Sequence, residues 1–156
     1  AAAAEAAIER ARGQGFSASP QARRAIENLA MRSAMSHYEA EGYQVTDVSR
    51  RQSYDLHCIK GDVVLRVEVK GTTTLGDEII LTPNEVALAR DHAPSTALFI
   101  LHSISINGPD EAPIATGGLV RIIQPWSPSP DSLRPTAYWC ALPVEDNNAL
   151  ADFRGS

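Results

Sequence analysis

Tyr54-Asp55-Leu56-His57-Cys58-Ile59-Lys60-Gly61-Asp62-Val63-Val64-Leu65-Arg66-Val67-Glu68-Val69-Lys70-Gly71 is the stretch whose reading decides the fold. It reads as a β-hairpin. Two alternating runs flank Gly61-Asp62, and glycine at the first central position suits a two-residue type II′ loop. That loop predicts a register in which Lys60 faces Val63, Cys58 faces Leu65, Leu56 faces Val67 and Tyr54 faces Val69. Side chains alternate across a strand, so this set forms an almost wholly apolar core face. Asp55, His57, Ile59, Val64, Arg66, Glu68 and Lys70 occupy the other face.

In this register Asp55 lies across from Glu68. Like charges directly opposed on neighbouring strands destabilise the pair, and their Cβ atoms stand about 4.5–5.5 Å apart. A shared cation reverses the sign of that interaction. Lys70, two residues beyond Glu68, projects from the same face. Two acids and a lysine together form the set that metal-dependent phosphodiester cleavage requires. A Lys60-Gly61 loop leads elsewhere: Asp55 then faces Arg66, and the polar face is an ordinary solvated one with a salt bridge.

The chain has 156 residues, 44% of them hydrophobic and 21% charged, which fits one folded domain and excludes a disordered chain. No apolar run is long enough to span a membrane, and no signal-peptide pattern opens the chain. Ala1, Ala2, Ala3 and Ala4, without an initiating Met, read as the start of a fragment or of a processed chain and are set aside. Cys58 and Cys140 fall in apolar, strand-like runs and read as buried thiols. The absence of a C-x-x-C spacing argues against structural zinc, and the cysteine usage suits a reducing, cytoplasmic setting.

The net charge of −5 argues against strong autonomous nucleic-acid binding, but the charge is uneven. Residues 1–71 carry ten basic and nine acidic side chains; residues 72–156 carry four and ten. A polyanion would therefore meet the first half. Only Lys60 and Lys70 are lysine among 14 basic residues, and a compact ammonium differs chemically from a guanidinium fork.

Before the hairpin, residues 5–12 have helical composition. Ser19 then reads as an N-cap and Pro20 as the first residue of a helix running to about Glu41 and stopping at Gly42. Ile26, Leu29, Ala30, Ser33 and His37 recur at helical spacing, as do Met31, Ala34, Met35 and Tyr38, so this helix packs on a sheet. Glu27 sits at the edge of that apolar coverage. It either turns toward the acidic face of the hairpin or pairs with Arg23 or Arg24 on the surface. Residues 43–48 form a first strand. Arg50 and Arg51 lie in a basic connection just before Asp55, suited to a phosphate backbone or to a plain loop.

After the hairpin, Thr72, Thr73 and Thr74 form a loop with donors for a phosphate, or a simple connector. Residues 79–81 read as a short strand. Thr82-Pro83-Asn84-Glu85 reads as a capping box opening a helix to about His92, which gives Glu85 a structural role. Residues 96–106 are apolar on both faces, as in a strand buried from both sides. Residues 107–113 are a loop, 119–123 a strand, 125–135 an irregular proline-rich segment with Trp126 as a packing residue, and 136–142 an edge strand bearing Tyr138 and Trp139. The order predicts an α/β domain with a central mixed sheet flanked by helices. No Walker phosphate loop and no G-x-S-x-G elbow is present.

Asp55, twelve intervening residues and Glu68-Val69-Lys70 resemble the PD-(D/E)xK nuclease pattern, with Tyr54 where the superfamily name has proline. A longer text is more specific. Ala25-Ile26-Glu27-Asn28-Leu29-Ala30-Met31, Gly42-Tyr43-Gln44-Val45, Tyr54-Asp55-Leu56, Val67-Glu68-Val69-Lys70-Gly71-Thr72 and Leu81-Thr82-Pro83-Asn84-Glu85 together resemble the domain at the C-terminus of the plant protein NO VEIN. Similar domains occur in bacterial restriction and phage-defence proteins, often beside a helicase or ATPase. The resemblance implies a restriction-endonuclease-like domain over 19–142, between an N-terminal extension (1–18) and a C-terminal tail (143–156). By carry-over, Asp55 and Glu68 are metal ligands, Lys70 orients or activates water, and Glu27 is the helix acid. Arg50, Arg51 and Thr72 are candidate nucleic-acid contacts. Oxygen-only ligands favour Mg²⁺ or Mn²⁺ over zinc. The implied activity is magnesium-dependent endonucleolytic cleavage of DNA; the competing expectation is a catalytically inactive module that binds nucleic acid or protein within a larger defence complex. No membrane partner is expected.

Overall fold

The computed structural model describes residues 19–135 and Cys140. Its elements are α1 (Pro20–Ala40), β1 (Gln44–Asp47), β2 (Leu56–Lys60), β3 (Val63–Gly71), α2 (Pro83–His92), β4 (Thr96–Asn107) and β5 (Ile114–Ile123). A short 3₁₀ turn (Pro130–Ser132) follows. The strands form one five-stranded sheet in the order β1-β2-β3-β4-β5. β3 and β4 run parallel, joined by the crossover that contains α2, and the other neighbours are antiparallel. The architecture is therefore the expected α/β arrangement with a mixed sheet and two flanking helices.

The hairpin takes the register set by the Gly61-Asp62 loop: Lys60 pairs with Val63, Cys58 with Leu65 and Leu56 with Val67. Gly61 has a φ of +58°, a conformation that favours glycine. Arg66 consequently lies opposite His57, which removes the alternative Asp55–Arg66 salt bridge.

α1 begins as its sequence dictates, with the Ser19 hydroxyl accepting from Ala22 N–H and Pro20 in the first turn. Its buried stripe of Ile26, Ala30, Ala34 and Tyr38 covers one face of the sheet, against Leu56, Cys58, Leu65, Val67, Phe99 and Leu101. The helix passes very close to the end of β3. A Cβ at Gly71 would lie 2.9 Å from Ile26 Cγ2 and 3.0 Å from Ala30 Cβ, so only glycine admits this approach without movement.

The opposite face has a second, smaller core of Ala89, Leu98, Ile100 and Trp126, with Ile79, Leu81 and Ile123 packed against it. Here the structure corrects two expectations. Residues 79–81 are not a strand; they lie on this face without ladder bonds, with Ile79 and Leu81 partly buried against its core. β5 starts at Ile114, not at residue 119. Gly117 and Gly118, at φ +71° and +98°, obscure its first half in the sequence. Cys58 is buried as expected, whereas Cys140 is exposed. The expected helix over 5–12, the tail 143–156 and, Cys140 apart, the edge strand over 136–142 lie outside the described residues. Among the described residues no helix is long and apolar enough to cross a membrane.

Candidate active site

On the face turned away from α1, the sheet register sets side chains in rows across the strands. One row holds Thr46, His57, Arg66 and Thr96; Glu68 and Leu98 lie in the next; Lys70, Ile100 and Arg121 follow. The β4 end of these rows is covered by α2 and Trp126. Toward β1 and β2 the face is more open, with Thr46 exposed and His57 and Arg66 half-buried.

Asp55 stands one residue before the paired segment of β2, and Glu68 one residue after its last partner, Val67. The ladder is irregular at this point. Asp55 N–H donates to Val67 O at 3.0 Å, and Val69 N–H donates to Asp55 Oδ2 at 2.8 Å. The carboxylate thus replaces a main-chain acceptor, which anchors Asp55 to the strand that bears Glu68 and Lys70.

Lys70 Nζ lies 3.0 Å from Glu68 Oε1 and 3.0 Å from Glu85 Oε2. Glu85 is the participant that sequence reasoning missed. Its capping role is present, with Thr82 N–H donating to Glu85 Oε2 at 3.0 Å and Glu85 N–H donating to the Thr82 hydroxyl at 3.3 Å. The same oxygen also accepts from Lys70. The signal was an acid at the start of the crossover helix; its partner could be found only once that helix was placed over the sheet.

Two carboxyl groups therefore share one ammonium, with Asp55 within reach of its charge, in a largely buried setting where Glu68 is only 6% exposed and Lys70 18%. Burial lifts the Asp55 carboxyl to about 6, against the pull of the Val69 N–H and Lys70, with Glu85 and Asp47 adding to the rise. Burial also pushes Glu68 upward; Lys70 opposes this, while Asp55 and Glu85 reinforce it. For Lys70, burial works against the ammonium, but Glu68 and Glu85 outweigh it and hold the pKa above the ordinary lysine value. Lys70 is thus a fixed positive charge rather than a proton acceptor near neutrality.

The donor chemistry suits a hard divalent cation. Asp55 Oδ2 and Glu68 Oε1 are engaged, but Asp55 Oδ1 and Glu68 Oε2 take no hydrogen bond among the described residues. Neither is sealed from solvent, since Tyr38 Oη is the one buried side-chain polar atom without a partner there. No group of three or more His, Cys, Asp and Glu side chains among the described residues is disposed to hold a metal ion. Mg²⁺ does not require one: it is commonly held by one or two carboxylates, with water and substrate phosphate completing its shell.

The remaining sequence candidates lie elsewhere. Glu27 is exposed on α1, the helix that packs on the opposite face, next to the Ile26 that approaches Gly71. Arg50 and Arg51 are exposed on the turn between β1 and Asp55. Thr72 is half-buried just past β3, its hydroxyl 2.9 Å from that of Thr74. The structure brings Asp55, Glu68 and Lys70 together, adds Glu85, and sets Glu27, Arg50 and Arg51 apart on other elements.

The family model described as Protein NO VEIN, C-terminal, matches residues 26–112, from α1 through β4 into the loop before β5. No curated protein and no solved structure matches the chain. With more than half of its 156 residues matched by that model, and with the matched span containing every residue of the acid–lysine cluster, the chain belongs to the NO VEIN C-terminal domain family.

Proposed function

We propose that this domain is a metal-dependent phosphodiesterase of the PD-(D/E)xK type that cleaves DNA. The observation that carries the proposal is the set of acids Asp55, Glu68 and Glu85 around the single ammonium of Lys70, with an oxygen of both Asp55 and Glu68 that takes no hydrogen bond among the described residues. Asp55 and Glu68 would hold Mg²⁺ or Mn²⁺. The bound ion supplies positive charge against a phosphodiester oxygen and makes water a better nucleophile. Lys70 adds a preorganised charge where negative charge develops on the phosphoryl group. Glu85 orients Lys70 from the start of α2 and keeps it protonated. Arg50, Arg51 and Thr72 enter this reading as candidate backbone contacts, whereas Glu27, on the helix across the sheet, is replaced beside Lys70 by Glu85. The setting of the domain in a bacterial restriction or phage-defence protein, in the cytoplasm and beside a helicase or ATPase, rests on the family resemblance alone.

The test is nicking of supercoiled plasmid DNA by the purified chain with Mg²⁺ or Mn²⁺. Cleavage is expected with metal, is lost in chelator, and is lost in Asp55→Ala, Glu68→Ala and Lys70→Ala while each variant keeps its thermal unfolding transition. Wild-type-like cutting by all three variants would overturn the assignment.

One observation favours a second reading, a binding module without catalysis: Lys70 is already neutralised by Glu68 and Glu85. Calorimetric titration of Mn²⁺ separates the two readings. The nuclease reading expects binding that is lost in Asp55→Asn; the module reading expects no difference between the two proteins.

A further inference from the structure

Arg66 and His57 face each other across β2 and β3 in the row beside the acid–lysine cluster. Arg66 is half-buried, yet its guanidinium makes no ion pair and no hydrogen bond among the described residues. A guanidinium lying against a sheet without an anion is a strong donor fork with nothing to receive it. His57 is positioned rather than loose: its Nδ1 is 2.9 Å from the Tyr54 hydroxyl, and Nε2 takes no hydrogen bond among the described residues. Tyr54 is itself buried and so makes a rigid support.

We infer that Arg66, with His57 beside it, holds a backbone phosphate of the nucleic-acid substrate one or two phosphates along from the one presented to Asp55, Glu68 and Lys70. The spacing fits. Arg66 precedes Glu68 by two residues, about 6.6 Å along a strand, and one strand of duplex DNA advances about 3.4 Å per phosphate along its axis. A backbone lying along β3 over the cluster therefore carries another phosphate onto Arg66. Electrostatics favours the same placement. The cluster alone repels a polyanion, and the adjoining row supplies the nearest donors on the same face. The open side of this face, toward β1 and β2, leaves room for the strand to approach. Arg66 acts here as a binding residue, and Tyr54 positions His57.

This inference rests on the nuclease reading, and the experiment separates the two. Binding of a fluorescein-labelled duplex of about two helical turns is measured by anisotropy in Ca²⁺, over a range of salt, for wild type, Arg66→Ala, Arg66→Lys and Tyr54→Phe; steady-state cleavage is measured in Mg²⁺. Arg66→Ala should weaken binding about tenfold and reduce the slope of log affinity against log salt by about one, as expected for loss of one phosphate contact. Its KM should rise more than its kcat falls. Arg66→Lys should recover part of the affinity and most of the salt slope, because the charge returns without the fork. Tyr54→Phe should weaken binding a few-fold without altering the slope. If wild type binds and cuts while Arg66→Ala keeps the wild-type affinity and slope, the inference falls and the nuclease reading stands. If wild type neither binds nor cuts a duplex, both fall.

Discussion

The two faces of the β2–β3 hairpin are built from alternate residues of the same 18-residue stretch, yet they serve opposite ends. Toward α1, Leu56, Cys58, Leu65 and Val67 are at most 2% exposed and pack in a continuous apolar core with Phe99 and Leu101. Toward α2, Glu68 is almost as deeply buried, but among charges. Burial of aliphatic side chains stabilises the first face by roughly 1.5–3 kcal/mol for each fully buried residue. Burial of like-charged carboxyls works against the second, and Lys70 offsets only part of it. Depth alone therefore does not distinguish an apolar core position from a buried charged one. Its chemical partners do.

The largest effect that can probe this contrast lies in the apolar face. Phe99→Ala should lower stability by about 3–5 kcal/mol in urea unfolding, because α1 cannot collapse fully into the space left. A loss below about 1 kcal/mol would mean that α1 is not the lid of the main core.

On the charged face, neutralising Asp55 should move stability the other way. Asp55 holds its proton to about pH 6 when folded but releases it near its ordinary, lower value when unfolded. Between those values the folded state binds more protons, so stability falls as pH rises through that window. The protein should accordingly be more stable at pH 5 than at pH 7.5, by roughly 1–2 kcal/mol from this group. Asp55→Asn should flatten that dependence and at pH 7.5 should equal or exceed wild type in stability, while cleavage disappears. An Asp55→Asn protein with the wild-type pH profile would contradict the placement of this carboxyl.

The smallest effect sharpens the role of the helix acid found on α2. Glu85→Gln keeps a capping-box residue at the third helical position. It should change the melting free energy by about 0.5 kcal/mol or less, whereas Glu85→Ala loses cap and ion partner together, at about 1–2 kcal/mol. If Glu85→Gln reduces cleavage far beyond its effect on stability, orienting Lys70 is the function that the residue serves.

Much of this was legible in the chain itself. Ser19-Pro20 and Thr82-Pro83 opened helices where their capping chemistry required, and Gly61-Asp62 set a register that placed Glu68 and Lys70 on one face, with Asp55 just beyond the paired residues. These are short-range rules, and they act within a turn or one strand pair. Residues 79–81 are not the strand their apolar run suggests, and 114–118 carry no strand signal, because their conformation depends on distant partners: the former pack against Leu98, Ile100 and Trp126, and the latter pair with β4.

The residues themselves thus determined the identity of the elements, the hairpin register and the two-faced chemistry of β3. Only the tertiary structure decided what those charges meet. It placed α1 on one face and α2 on the other, so Glu27 fell on the helix across the sheet while Glu85 came within 3.0 Å of Lys70. The reason is physical. Caps, turns and alternation are set by neighbours in the chain, whereas the docking of a crossover helix is set by the apolar patch that it must cover.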